Sequence, residues 1–333
     1  MRPTLKDLAE AADVSTATAD RALNNRAGVS PRTRALVLQA ALRIGYLPEK
    51  SVPKPVHLVV LLPKGTNAFV AELRRHIEAL SQSDPTLSVA FPDLSDPAPE
   101  AMARALDRAA AADGVALLAQ SHPAVHDAID RLARSGTPVV TLASDLPESS
   151  RLAYVGIDDR RAGRLAGQVI LRFLGPSAKG KIALFSGSQS YRGHHDREMG
   201  LRQIVAESAP NLTVLGRLES GENRNQAQAL TEELLATHPD LVAVYNAGGG
   251  TRGIARALQA SGRARDIVFV AHDLTEPNRA HLIDGTLDAV IDQSARDEAQ
   301  EALAILTAAA RGEHHDPAPP QHSLLFLREN LPP

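Results

Sequence analysis

The 333-residue chain has no cysteine and no tryptophan, and aromatic side chains make up only 3% of it. Without thiols there is neither a disulfide framework nor a thiolate metal site, and with so few rings a large flat ligand finds few platforms to stack on. No apolar run reaches the about 20 residues that a membrane span requires. The first helical pattern is charged and lacks an apolar signal segment, so a cytoplasmic location without a membrane partner is expected. Net charge is also small, −3 over the chain, but it is unevenly placed: residues 1–50 carry +3 and the remainder −6. Since phosphate attraction is local, the basic end matters more than the total. The 44% apolar content suits ordinary globular cores, in a length that holds two or three units.

The basic end reads as three short amphipathic helices. Thr4 is placed to cap the first, with Asp7 three residues on in its positive first turn. Leu5, Leu8, Ala9 and Ala12 recur at helical spacing while Lys6, Glu10 and Asp13 face water. Ser15 caps a second helix after almost no linker, which is the spacing of a helix-turn-helix. Its inward stripe is Ala19, Ala22 and Leu23. Thr16, Ala17, Asp20 and Arg21 are left near the opposite face, where Thr and Ala suit base methyls and Arg forks onto guanine, while Ser15 and Thr18 suit phosphate. Asp20 is out of place there, because a carboxylate repels phosphate. Ser30 and Pro31 open a third helix whose expected buried stripe is Leu36, Val37, Ala40, Ala41 and Ile44, and Gly45 ends it. A protein-interaction module with a few arginines is the competing reading of composition alone.

The strings TLKDLAEAADVS at 4–15, RALN at 21–24, VSPRTR at 29–34 and GYLP at 45–48 resemble, in order and density, the headpiece of the lac repressor/gal repressor family. The likeness continues over nearly the whole chain. It implies that Thr16, Ala17 and Arg21 read bases, and Thr4, Asn24 and Arg32 complete the candidate DNA contacts. Two departures stand out. The hinge that usually carries a wedging Leu is EKSVPKPV here, with Pro53 and Pro55 disfavouring helix, and Asp20 replaces a small hydroxyl residue.

Beyond residue 56, apolar runs of strand length at 57–62, 114–119, 138–142, 153–157, 181–185, 241–245, 267–271 and 287–291 alternate with helical patterns at 68–80, 100–111, 124–134, 160–174, 197–207, 226–236, 250–260 and 296–309. That rhythm belongs to parallel sheets covered on both faces. So many strands exceed one comfortable twisted sheet, which points to two doubly wound lobes with a cleft between them. The expected organisation is an all-α helix-turn-helix headpiece at 1–48, a hinge or linker at 49–55, and a two-lobed α/β domain at 56–333 for effector binding and dimerisation. The resemblance implies the type I periplasmic-binding-protein fold, with chain crossings near 156–159, 293–296 and 317–322.

Ligands of doubly wound sheets collect beyond the carboxyl ends of the strands. Here those ends read KGTNAF at 64–69, ASD at 143–145, SGSQSYRGHHD at 186–196, NAGGGTR at 246–252, HD at 272–273 and DQ at 292–293, rich in groups that suit hydroxyls. By the resemblance Phe69 stacks on a ring, Asp273 binds hydroxyls and Gln293 is a hinge-side contact. His195 stands where a ligand-gripping Arg is usual, and Gly248 replaces an acid. Strand-end placement adds Asn67, Tyr191, Arg192, Asn223 and Asn246, although an Asn there equally suits a turn. The Gly248–Gly250 run lacks a phosphate-loop ending and a dinucleotide fingerprint, which argues against nucleotide, yet its amides suit a sugar phosphate. His194-His195-Asp196 near Ser186 and Ser188 has the look of a catalytic or metal cluster, but no third ligand follows at helical spacing and no nucleophile elbow is present. Neither catalysis, metal nor cofactor is expected.

The expected function is a sequence-specific DNA-binding regulator, a repressor by the family's commoner behaviour. Its double-stranded operator is pseudo-palindromic, its effector a small sugar, polyol or sugar phosphate, and its assembly a homodimer or tetramer. The alternative is a carbohydrate-binding or sugar-modifying protein whose N-terminal module binds protein.

Overall fold

The computed structural model describes residues 3–24, 26–47, 54–316 and 321–332, and the side chains of Pro31 and Arg32 lie outside that description. Of the expected hinge, only Lys54 and Pro55 are among the described residues.

The basic end folds as α1 (Leu5–Ala11), α2 (Thr16–Leu23) and α3 (Pro31–Arg43). Thr4 Oγ1 accepts from Asp7 N at 3.3 Å and Asp7 Oδ2 accepts from Thr4 N at 2.7 Å, a reciprocal cap that satisfies two amides α1 would leave orphaned. Ser15 and Ser30 cap α2 and α3, accepting from Thr18 N and Thr33 N at 3.1 Å each. Asp13 turns the chain between α1 and α2 in a left-handed conformation, φ 51°. Leu8, Ala9, Ala19, Ala22, Val37, Ala40 and Ala41 form the small core. Leu36, expected in that core, is instead 49% exposed. The buried positions 37, 40, 41 and, partly, 44 define the stripe, and position 36 sits a full residue step off it.

The rest of the chain builds two lobes. In the first, β1 (Val56–Leu61), β2 (Leu87–Ala90), β3 (Gly114–Leu117), β4 (Val139–Leu142) and β5 (Ala153–Val155) pair in parallel in the order β2-β1-β3-β4-β5. Every residue of β3 and β4 is buried, as strands covered on both faces must be. One face packs on α4 (Ala68–Ser83), the other on α5 (Pro99–Arg108) and α6 (Pro123–Arg134). In the second lobe, β6 (Gly180–Ser186), β7 (Leu212–Glu219), β8 (Leu241–Asn246), β9 (Val268–His272) and β10 (Ala289–Asp292) are parallel, and β11 (Leu324–Phe326) closes one edge antiparallel, in the order β11-β10-β9-β8-β6-β7. Its faces are covered by α7 (Asp159–Leu174) and α8 (Arg192–Ser208) on one side and by α9 (Arg224–Thr237), α10 (Thr251–Ala260) and α11 (Glu276–Asp284) on the other.

The chain crosses between lobes after β5 and again after β10, where Ser294 takes φ 58° and opens α12 (Ala295–Arg311), which packs back on the first lobe. Part of the third crossing, 317–320, is outside the described residues, but Gln321 N donates to Gly156 O at 3.0 Å, laying the third strand of the junction beside the first. α7 and α8 meet backbone to backbone. A Cβ on Gly163 would lie 2.0 Å from Arg197 O and one on Gly200 2.1 Å from Arg160 O, so only glycine permits this approach. It is this contact that brings the side chain of Arg197 down onto the start of α7. Among the described residues no helix is long and apolar enough to cross a membrane.

Candidate functional site

The strand ends of both lobes converge on a cavity of about 490 Å³, within the range of small-molecule sites. From the first lobe come Lys64, Asn67, Phe69, Gln120 and Ser144; from the second come Tyr191, His194, Arg197, Glu222, Asn223 and Asp273, with Gln293 at the junction. Phe69 is buried to 4% exposure in the first turn of α4 and offers an apolar wall. Asn67 caps that helix through Oδ1, which accepts from Phe69 N at 2.9 Å, leaving its amide group to reach across the cleft.

The polar centre of the cavity is a chain of buried groups. Arg197 donates to Asp159 Oδ1 at 2.6 Å, to Ala247 O at 3.0 Å and to Gln293 Oε1 at 3.3 Å. Gln293 Nε2 in turn donates to Asp273 Oδ1 at 2.8 Å. Burial works against the charge on Arg197, but Asp159 and Asp273 beside it outweigh that cost and hold its pKa above the ordinary guanidinium value. Burial pushes the Asp273 carboxyl up to about 7, against the pull of Arg197, and Asp273 is also held left-handed at φ 68°. Ala143 and Glu222, which line the same cavity, share that conformation at φ 53° and 59°. Three non-glycine residues in a sparsely populated backbone region around one cavity mark it as the place where the fold spends stability on geometry. His194 is lowered by its burial; its Nδ1 sits 3.1 Å from Ser188 O. Tyr191, raised to about 12 by burial, faces Gln120 across the cleft.

Several expected contacts lie elsewhere. His195 is exposed and does not line the cavity; Arg192 is exposed and pairs with Asp196 at 3.2 Å. The reason is that α8 starts at Arg192, five residues earlier than its apolar pattern suggests, so Gly193, Arg197, Gly200, Leu201 and Ile204 form its inner face. Arg197, missed in the sequence, is therefore the guanidinium that reaches the cleft. Asn246 is fully buried behind the cavity, donating to Thr251 Oγ1 at 3.0 Å and Gly249 O at 3.2 Å to shape the turn into α10. Asn223 does line the cavity, but its Oδ1 caps α9 through Asn225 N at 2.8 Å. Glu222, Gln120 and Ser144 lay within or beside the polar strand ends without a motif to single them out. Among the described residues no group of His, Asp or Glu is placed to hold a metal ion.

On the helical end, Thr16, Ala17 and Arg21 share the exposed face of α2, and the Arg21 side chain makes no hydrogen bond or ion pair among the described residues. Thr4 is exposed at the start of α1, and Ser15 Oγ and Thr18 Oγ1 lie 2.9 Å apart at the start of α2. Asp20 proves to be neutralised in place: Arg26 Nη1 donates to its Oδ2 at 3.0 Å and Asn24 Nδ2 to its Oδ1 at 2.8 Å. Asn24 is thus turned onto Asp20. The side chain of Arg32 falls outside the described ones.

Residues 4–49 match the bacterial regulatory proteins of the lacI family, and residues 58–314 match the periplasmic binding protein domain. The ribose import binding protein RbsB of Salmonella typhimurium is 29% identical over 171 residues, which span 51% of this chain and 56% of that protein. This chain thus covers little more than half the length of that relative. The HTH-type transcriptional regulator DegA of Bacillus subtilis is 27% identical over 215 residues, 62% of each chain. In three dimensions the two lobes resemble the crystal structure of GanP, a glucose-galactose binding protein from Geobacillus stearothermophilus, with a TM-score of 0.74 at 22% identity, covering 84% of this chain and 99% of that one. The chain belongs to the periplasmic binding protein domain family, and a unit of the lacI family of bacterial regulatory proteins forms its N-terminal end.

Proposed function

We propose that the protein is a DNA-binding transcriptional repressor whose affinity for a pseudo-palindromic operator is set by a small sugar or polyol held between its lobes, by binding and without turnover. The observation that carries this reading is the joining, in one chain, of a helix-turn-helix with an open Thr16, Ala17 and Arg21 face to an interlobe cavity lined by hydroxyl-binding groups. Thr16 and Ala17 lie against bases, Arg21 forks onto a guanine, and Thr4, Ser15 and Thr18 hold phosphates in register. One headpiece of this size makes too few contacts for tight specific binding, so two copies act together as a homodimer. Residues 1–48 are the reading head, 49–55 the link, and 56–333 the effector and dimerisation domain, in a cytoplasmic protein. The relatives named as a transcriptional regulator and as a sugar-binding protein each support one half of this assignment.

The test is binding to palindromic duplexes selected from a random pool, measured by fluorescence anisotropy across a salt series with and without added sugars. Expected are sequence-selective binding that weakens steeply with salt, a loss of about 10- to 100-fold in Arg21→Ala from the missing base contact, and a shift in affinity on adding the effector. Binding of no duplex selectively, or an unchanged Arg21→Ala variant, overturns the reading.

A further inference from the structure

Glu222 sits at the loop between β7 and α9, and its position is costly. It is left-handed without being glycine, at φ 59°, and its Oε1 is buried with no hydrogen-bond partner; the imidazole Nε2 of His194 lies 3.9 Å away. A residue kept in a strained conformation with an unsatisfied oxygen is not there for stability. Three glycines from two other strand ends leave the space it fills. A Cβ on Gly187 would lie 1.3 Å from Glu222 Oε1, one on Gly248 3.0 Å from the same atom, and one on Gly249 2.0 Å from Oε2. From the opposite lobe, Asn67 Nδ2 donates to Glu222 Oε2 at 2.7 Å and Thr66 Oγ1 donates to its main-chain oxygen at 3.1 Å.

This bridge lies between two cavities. On one side is the 490 Å³ cleft, and on the other a chamber of 270 Å³; Thr66, Asn67, Phe69, Glu222, Gly248 and Asp273 line both. The far chamber continues with polar groups suited to a hydroxylated ring, Thr251, Thr275 and Asn278 among them. We propose that Glu222 is the specificity-determining wall of the cleft: seated in the glycine niche and fastened by Asn67, it closes the cleft to anything longer than a single sugar ring. Because its two fasteners come from the first lobe, the wall is complete only when the lobes are together. The inference rests on the reading of the cleft as a sugar site, and it adds the size of the ligand to that reading.

The test compares D-ribose, D-glucose and D-galactose with maltose, cellobiose, lactose and trehalose by titration calorimetry and thermal shift on the full chain. The wild type is expected to bind at least one monosaccharide about tenfold or more tighter than any disaccharide, a difference of about 1.4 kcal/mol. Glu222→Ala removes the wall and gains disaccharide binding by at least about tenfold. Gly249→Ala, which keeps the glutamate but pushes it from the niche, does the same, while Glu222→Gln preserves the shape and keeps the exclusion. No gain in either Glu222→Ala or Gly249→Ala, a gain in Glu222→Gln, or a wild type that takes disaccharides as well as monosaccharides overturns the proposal. Monosaccharide binding that shifts operator affinity without the predicted gain leaves the regulator reading standing and removes only the wall.

Discussion

Arg197→Ala probes how far the cleft depends on one buried ion pair. The pair with Asp159 is almost dry, at 4% and 7% side-chain exposure. Removing the guanidinium strips Asp159 of its charged partner and leaves Ala247 O and Gln293 Oε1 without a donor. The α7 N-terminus beside Asp159 softens this, but it does not replace a guanidinium at 2.6 Å. Breaking a buried pair from one side costs about 3–5 kcal/mol, because the remaining charge is stranded. For a domain of this size that is a fall in melting temperature on the order of 10 °C. Asp159→Asn in the same chain removes the stranded charge while keeping the side-chain volume. If the cost is electrostatic, the double variant recovers at least half of the loss, and the two substitutions are coupled by well over about 1 kcal/mol. Urea denaturation of the wild type, both single variants and the double variant measures this cycle. An Arg197→Ala protein as stable as the wild type, or a double variant that loses the sum of its parts, refutes the assignment of Arg197 as the electrostatic centre of the cleft.

Two further outcomes follow from the same packing. Asp273, pushed up to about 7 by burial from an ordinary value of 3.8, contributes no pH dependence below about pH 4, where folded and unfolded chains both hold its proton. Between about pH 4 and 7 only the unfolded chain releases it, so wild-type stability falls through that window relative to Asp273→Asn by up to about 4 kcal/mol, then levels off; parallel stability curves for the two proteins contradict this. Gly163→Ala places a methyl 2.0 Å from Arg197 O, and forcing α7 from α8 costs about 1–3 kcal/mol by urea midpoint and weakens sugar binding as Arg197 retreats; an unchanged midpoint and affinity show the helices free to separate.

Much of this architecture was legible because its signals are periodic. β3 and β4 are buried throughout and apolar but for Thr141, and α6 is a clean amphipathic stripe, so lobe, sheet type and cleft follow from pattern alone. β2 is a short edge strand with alternating burial, β7 carries Gly216 and Arg217 in its middle, and α11 buries little besides Asn278 and Leu282; none shows the continuous or striped pattern of a central element. At the site, Phe69, Asp273 and Gln293 lie in the polar segments that follow strands, and the family resemblance singles them out. Arg197 could not be found in this way, because the polar first turn of α8 hides where that helix starts, and the signal that would have found it is the glycine spacing of Gly193 and Gly200 around it. Glu222 was hidden for a different reason. Its proposed role depends on Gly187, Gly248 and Gly249, which are distant from it in the chain and meet it only in the folded lobe.

The proposed regulation demands more of this cleft than affinity. A ligand moves an equilibrium only by the difference between its binding to the two arrangements of the lobes. Among the described residues, direct bonds between the lobes around the cavity include Thr66 and Asn67 to Glu222, Ser121 N to Ser190 O at 2.6 Å, and Gly193 N to Ser144 Oγ at 3.3 Å. The same residues, Ser121 excepted, line the cavity. A sugar held as proposed would meet both halves of the clasps at Glu222 and Ser144, and would be favoured by the closed arrangement over an open one that offers only half the contacts. At the junction Gln321 N donates to Gly156 O at 3.0 Å, and Ser294 is left-handed at φ 58°. In the proposed regulator, closure would reach the headpiece through the first lobe, whose β1 begins at Val56. A ligand that filled the cavity from the second lobe alone, leaving Asn67, Ser144 and Gln120 untouched, would bind and yet leave operator affinity unchanged.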